Sequence, residues 1–408
     1  MARVLLGLDL GASKIAAVVA VHEGDGALKV TGAGLASPQG GINQGEITNI
    51  QSAVNGIYKA VEDAMRTAGQ SRLDGILVAV DGIQFKCENL RESITIPNRV
   101  IKHQDINRVM EQATSACKLA KEETLLHTIP QLFHIKGQGN KGQRNIENPV
   151  NMLADTLEAE MRIIVAPPSV LENINRALEL SGLRGVKLWY SPLTSAEAVL
   201  SREDMKNGAV IVDIGDHLTH LGVFMHGALF YSAVIPIGGS HFTSDIERTK
   251  HLGGLLVAEQ VKRRNGTVLP SQVPPEVMIE LEAEGKQVSN REIAEVLHYR
   301  AVELIDFVHA EIGRSGIEEI LGGVHLVGGG AVLLHLPVLA QKILGKPRVV
   351  LGRVSGLQCL PEVMAHPLYT NALGAVKVLH NELDSWDWQD SRGWGWFRRL
   401  TKWFYNED

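Results

Sequence analysis

The 408-residue sequence predicts an α/β fold made of two related halves. Three observations carry this expectation. Short apolar or alternating runs that suit strands recur between longer segments with apolar residues every three or four positions, which suit helices. A strand ending Leu8-Asp9-Leu10-Gly11 reappears at mid-chain as Val212-Asp213-Ile214-Gly215, and each leads through a tight turn into a second strand. A chain of this length, 45% hydrophobic, can bury more than one core, so two or more subdomains are expected.

The strands fall at Arg3 to Asp9, Ile15 to Val21, Gly75 to Val80, Met161 to Ala166, Ala209 to Asp213 and Val324 to Val327. Helices are expected over Ile50 to Ala68, where Ile50, Val54, Ile57, Val61, Ala64 and Met65 share one face, and over Ser169 to Ser181 and Glu292 to Ile312. Asn140 to Asn148, NKGQRNIEN, reads as an exposed loop, and Asn381 to Ser391 as a short polar linker.

Composition narrows the function. A formal charge of −6 leaves no broad basic field, so nucleic acid is not an expected partner. Cys87, Cys117 and Cys359 are too few and too far apart for a disulfide framework or a zinc site, which fits a reducing cytoplasm. The apolar stretch Val4 to Leu8 is cut off by Asp9 and is too short for a signal-peptide core. Since no run of 18 apolar residues occurs, membrane contact is expected only from residues 392–408. This segment, RGWGWFRRLTKWFYNED, carries Trp394, Trp396, Phe397, Trp403 and Phe404 beside four basic residues. On a helix Trp396, Phe397, Leu400, Trp403 and Phe404 fall within an arc of roughly 120°, with Arg398 and Lys402 opposite, Arg399 at the edge and Trp394 off the stripe. Such a helix lies in the headgroup plane of an anionic membrane; docking on its own globule is the competing use of the same face.

Glycine turns suggest phosphate chemistry. GLDLGASK supplies small residues that let backbone N–H groups approach an anion, Ser13 and Lys14 add a hydroxyl and a positive charge, and Asp9 suits a hydrated magnesium ion. A plain glycine-bounded hairpin has the same pattern. With the second turn at Asp213 and Gly215 and the later HLVGGGA, His325 to Ala331, the chain has two turns suited to phosphates and one suited to a nucleoside.

These turns, together with LHTIPQLFHI, NPVNMLADTLEAEMRII, SPLTSAEAVL, VIPIGGSHFTSDI, AEQVK and REIAEVLHYRAVEL, resemble the actin-like ATPase superfamily and, within it, the FtsA family of bacterial cell-division proteins. The resemblance implies an actin-like core over 1–83 with 163–195 and over 196–235 with 300–380. It further implies an FtsA-type inserted subdomain over 84–162, a small subdomain over 236–299, the linker 381–391 and the amphipathic membrane-targeting helix 392–408. It implies that Gly11, Ser13 and Lys14 line the first phosphate loop, that Gly215 and Thr219 belong to the second, and that Asp9 and Asp213 face a magnesium ion through water. Glu259 and Lys262 would contact ribose, although an exposed helical pair has the same spacing. Gly328, Gly329 and Gly330 would hold adenosine. Arg291, Arg300 and Glu303 match the pocket that receives the FtsZ C-terminal tail, against the alternative of an exposed helix face.

The second loop departs from the family pattern. Asp216, His217 and Leu218 stand where the family has Gly, Gly and Thr, and His220 stands in place of Asp. The side chains of Asp216 and His217 oppose the terminal phosphates of ATP with magnesium by bulk and charge. A metal cluster of Asp216, His217 and His220 can be drawn from ligand types alone. The resemblance implies a tether that joins FtsZ filaments to the membrane, self-associates into filaments, and hydrolyses ATP slowly or not at all. A small-molecule kinase of the same superfamily, or a degenerate adaptor like the pilus-assembly protein PilM, are the rival readings.

Overall fold

The structure is a computed structural model that describes residues 2–383, apart from 24–26, 118, 138–141, 282–286, 318, 347, 359, 361–362 and 364–365. The residues expected at the membrane, Trp396, Phe397, Arg398, Arg399, Leu400, Lys402, Trp403 and Phe404, lie outside the described residues.

Each half is a five-stranded sheet of the same plan. In the first, β1 (Arg3–Leu10), β2 (Ile15–His22) and β3 (Leu28–Ala36) form an antiparallel meander. Then β6 (Gly75–Val80) pairs parallel to β1, and β11 (Val186–Tyr190) parallel to β6, giving the order β11-β6-β1-β2-β3. In the second, β12 (Ala209–Ile214), β13 (Thr219–Met225) and β14 (Ala228–Ile235) form the meander, and β17 (Gly323–Val327) and β18 (Val349–Leu351) add in parallel, giving β14-β13-β12-β17-β18. The central strands β1 and β12 are covered on both faces, which is why they read as continuous apolar runs and not as alternating ones.

Local signals set the helices. For α1 (Ile50–Ala68), Asn49 accepts the Ser52 N–H at the start, while Gly69 adopts the left-handed conformation that ends it. Its face of Ala53, Ile57, Ala60 and Ala64 packs on the first sheet. A short ladder of β4 (Ile42–Asn43) and β5 (Glu46–Ile47) precedes it, and α3 (Pro168–Leu180) lies beside it. Between the two sheets stand α4 (Ser191–Val199) and α10 (Thr370–Leu383), with α5 (Arg202–Asn207) following α4.

An inserted layer leaves the first half after β6. It is an antiparallel sheet of β7 (Lys86–Val100), β10 (Leu153–Ala166), β8 (Thr124–Lys136) and β9 (Gln143–Ile146), in that order, with α2 (His103–Ala116) on one face and a separate core around Ile96, Ile106, Met110 and Leu157. Strand β9 corrects the loop expected over Asn140 to Asn148. Its three polar residues sit on a sheet edge, and only Ile146, opposite Phe133, turns toward the core. The second half carries α6 (Gly239–Lys250), α7 (Leu255–Asn265), the hairpin of β15 (Met278–Glu280) and β16 (Gln287–Ser289), the long α8 (Asn290–Arg314), and α9 (Leu336–Leu344).

Candidate functional site

The two meanders open toward each other at their first turns, and the cleft between them is bordered by Asp9, Gly11, Ser13, Lys14, Asp213, Gly215, Gly328 and Gly329. The turns are closed alike: Gly11 N–H donates to the Lys14 carbonyl and Gly215 N–H to the Leu218 carbonyl, both at 2.9 Å. Lys14 reaches across its turn, with Nζ 2.8 Å from Asp9 Oδ2 and 2.7 Å from the Leu368 carbonyl. Burial pushes the Asp9 carboxyl above the usual carboxylate range, and Lys14 opposes that shift. Asp213 is raised too, first by burial and then by the neighbouring Asp9 and Asp81 carboxylates. It accepts hydrogen bonds from Asn371 Nδ2 at 2.8 Å and Ser195 Oγ at 3.2 Å.

The glycine loop after β17 approaches β12 so closely that side chains are excluded. Gly328 has φ +81°, and a Cβ there would lie 2.2 Å from Asp213 Oδ1; one on Gly330 would lie 2.4 Å from Ile214 Cγ2. The loop runs into a 3-10 turn, Gly329–Val332, and α9 follows it.

The second turn rests on the start of α6. Gly239 N–H donates to Gly215, while the Ser240 N–H and hydroxyl both donate to the Asp216 carbonyl. Asp216 and His217 border the cleft and pair with each other at 3.3 Å. His220 turns the other way, its Nε2 3.4 Å from Asp81 Oδ1, so Asp216, His217 and His220 do not converge on one ion. Among the described residues no group of three or more His, Cys, Asp or Glu side chains is placed to hold a metal directly. Thr219 is fully buried, and its hydroxyl donates to the Ile237 carbonyl at 2.7 Å, which directs it into the second half and away from the cleft.

Glu259 and Lys262 lie behind the second turn. Lys262 Nζ is 2.6 Å from Glu259 and 2.8 Å from both the Gly239 carbonyl and the Thr243 hydroxyl, and Thr243 also donates to Glu259. Burial raises the Glu259 carboxyl, but Lys262 and Thr243 pull it below the usual range. Farther out, Arg300 on α8 holds Asp245 of α6 at 2.6 and 3.0 Å and pairs with Glu303. Arg291 is on the same helix, about half a turn round from Arg300, so the two do not share a face; Arg300 and Glu303 do.

The structure adds residues that sequence reasoning missed. Asp81, Gln44 and Asn371 all border the cleft. Asp81 follows β6 in Val80-Asp81-Gly82, a third strand-end Asp whose pattern echoes Asp9 and Asp213 and is the signal that would have found it. Asn371 has no local signal. With Asp9, Asp81, Asp213 and Asp216 against Lys14 and His220, the cleft favours a polyphosphate that arrives with its own cation.

A family model described as cell division protein FtsA matches residues 210–374, and one described as the SHS2 domain inserted in FtsA matches residues 82–165. The chain is 30% identical to cell division protein FtsA of Pseudomonas aeruginosa over 379 residues, covering 92% of this chain and 88% of that one. It is 27% identical to that of Escherichia coli K12 over 424 residues, covering 99% and 98%. Among solved structures, a chain of the PilM-PilN type IV pilus biogenesis complex superposes with a TM-score of 0.65 at 18% identity, covering 92% of this chain and 98% of that one. MreB5 of Spiroplasma citri bound to ADP gives 0.55 at 14% identity, covering 94% and 99%. The fold is thus actin-like, with an SHS2 insertion.

Proposed function

The chain belongs to the FtsA family of cell-division proteins, and on that premise we propose that it holds FtsZ filaments to the cytoplasmic face of the membrane at the division site. The observation that carries this reading is the joining of an FtsA body to residues 392–408, whose aromatic arc and basic face suit an anionic surface. One short amphipathic helix binds weakly. Self-association through the actin-like body multiplies that attachment by raising the effective concentration of helices. Among the described residues no helix is long and apolar enough to cross a membrane.

ATP with magnesium suits the cleft in part. Gly328 and Gly329 border the cleft where a nucleoside would lie, Gly11, Ser13 and Lys14 would face phosphates, and Asp9 and Asp213 would face the hydrated ion. Magnesium would offset the charge between these carboxylates and the phosphates. Asp216 and His217 are the observation that favours a weaker second reading, an adaptor that works with little or no nucleotide.

Co-sedimentation with liposomes containing anionic lipid tests the tether. FtsZ filaments should pellet with vesicles only when this chain is present, and less as salt rises. Replacing Trp396 and Trp403 by Glu, or ending the chain at Ser391, should abolish pelleting. Pelleting that persists in both variants would sink the membrane reading.

A further inference from the structure

A cavity of about 120 Å³ lies at the C-terminal end of α10 and shares no lining residue with the glycine-turn cleft. Its apolar wall is built by Ile129 of the inserted sheet, Trp189 at the end of β11, Leu193 of α4, Phe224 and Leu229 of the second half, and Val378 of α10. Two carboxylates, Glu197 and Glu382, border it. Glu197 accepts from Asn381 Nδ2, and Glu382 Oε2 is 2.6 Å from Lys187 Nζ, so both are held in place at the rim. An apolar cavity of about 150 Å³ holds a benzene ring, so this one suits an aromatic group whose outer part stays at the mouth. With carboxylate acceptors at the border, the matching group is an indole, an apolar body with one N–H donor.

We propose that the occupant is Trp386 of this chain's own linker, its ring in the cavity and its Nε1–H donated to a border carboxylate. Reach and spacing select it. Helix α10 is described to Leu383, and Val378 and Glu382 in its last two turns already line the cavity. Three further residues span at most about 11 Å, which keeps Trp386 beside it. Val378, Glu382 and Trp386 are spaced four apart, so one more helical turn puts Trp386 on the stripe that faces the cavity. Trp388 would be turned about 160° away on that helix. Trp394, Trp396 and Trp403 are farther along the chain, which lowers their effective concentration at the cavity. Docking of Trp386 moves the fixed end of the linker outward. The body is then held within about 20 Å of the start of residues 392–408, against about 30 Å for a linker free from Leu383 onward.

Fluorine NMR of the full chain labelled with fluorotryptophan tests this without membranes, so its failure leaves the tether reading standing. Trp386→Phe and Trp388→Phe each delete one resonance and thereby assign it. The Trp386 resonance should lie away from the free-indole position and stay fixed between light and heavy water, while that of Trp388 shows the full solvent shift. Leu193→Glu, which puts a carboxylate into the apolar wall, should return Trp386 to the solvent-exposed position. The wild-type spectrum decides the matter even where Leu193→Glu lacks a cooperative melt. A Trp386 resonance with the full solvent shift overturns the assignment. So does one that moves toward the free position on dilution, as the linker of a second copy would.

Discussion

Gly374→Ala sets helix propensity against close packing at the joint between the halves. Gly374 lies inside α10, where alanine is worth up to about 1 kcal/mol over glycine in a helix interior. A Cβ at this position, however, would lie 1.8 Å from the Thr194 carbonyl oxygen of α4, backbone that no side-chain rotation can move aside. The helices must separate by more than an ångström. One turn earlier, Asn371 accepts from Thr194 Oγ1 at 2.8 Å and Ser195 Oγ at 2.6 Å and donates to Asp213 at 2.8 Å. Overpacking costs about 1–3 kcal/mol, and weakening a buried network that ends on a carboxylate adds roughly 1–3 kcal/mol. Net destabilisation of about 1–5 kcal/mol is expected once the propensity gain is subtracted. Gly313→Ala on α8 is the control, because nothing lies within 4 Å of its Cβ. It should be neutral or stabilising by up to about 1 kcal/mol. Urea denaturation followed by circular dichroism measures both. A Gly374→Ala protein as stable as the Gly313→Ala control would refute the close α4–α10 contact and its role in holding Asn371 on Asp213.

Three further outcomes are expected. Burial lowers the His127 imidazole to about 3 while its Nε2 accepts the Tyr190 N–H, so the folded state keeps the ring neutral. The unfolded chain takes up that proton below its ordinary value of about 6.5, so this contribution is complete above that pH and falls by about 1.4 kcal/mol per unit as pH drops toward 3. His127→Gln should flatten that part of a stability-versus-pH curve, and an unaltered slope would assign it to other groups. Arg291→Glu should weaken a labelled FtsZ C-terminal peptide about tenfold by fluorescence anisotropy without lowering the melting temperature. Arg300→Glu should lower both, since it also sets a third carboxylate beside Asp245 and Glu303; unchanged affinity in Arg291→Glu would remove it from the site. Changing Asp216 and His217 together to Gly should strengthen ATP binding more than ADP binding in calorimetry, and equal effects on both would show that the second turn is no obstacle.

What the sequence made legible was local. Helix α1 has the bounds expected from periodicity because its stop signals are neighbours in the chain, Asn49 at one end and Gly69 at the other. The paired turns were visible because the halves repeat, so Asp9 and Asp213 identify each other. Strand β9 was hidden because an edge strand needs only one apolar residue facing inward, and three polar neighbours make it look like a loop. The spacing of Arg291 and Arg300 did contain their separation, but only once both were known to lie on one unbroken helix, α8.

The rest of the cleft depends on topology. Asn371 reaches Asp213 across 158 positions, and His220 finds Asp81 only because the two sheets face each other at equivalent turns. The departures in the second turn look, in sequence, like damage to a phosphate site: a carboxylate and two histidines where the family has smaller or acidic residues. In space they separate into two pairs with different consequences. Asp216 and His217 pair with each other and add bulk where backbone would have to approach a phosphate. His220 pairs with Asp81, and although burial works against a charged ring, Asp81, Asp213 and Asp9 raise its affinity for a proton, where a family Asp would have added to an already anionic floor. One substitution thus opposes the electrostatic effect of another, and only variants that change the two pairs separately can measure what the cleft retains.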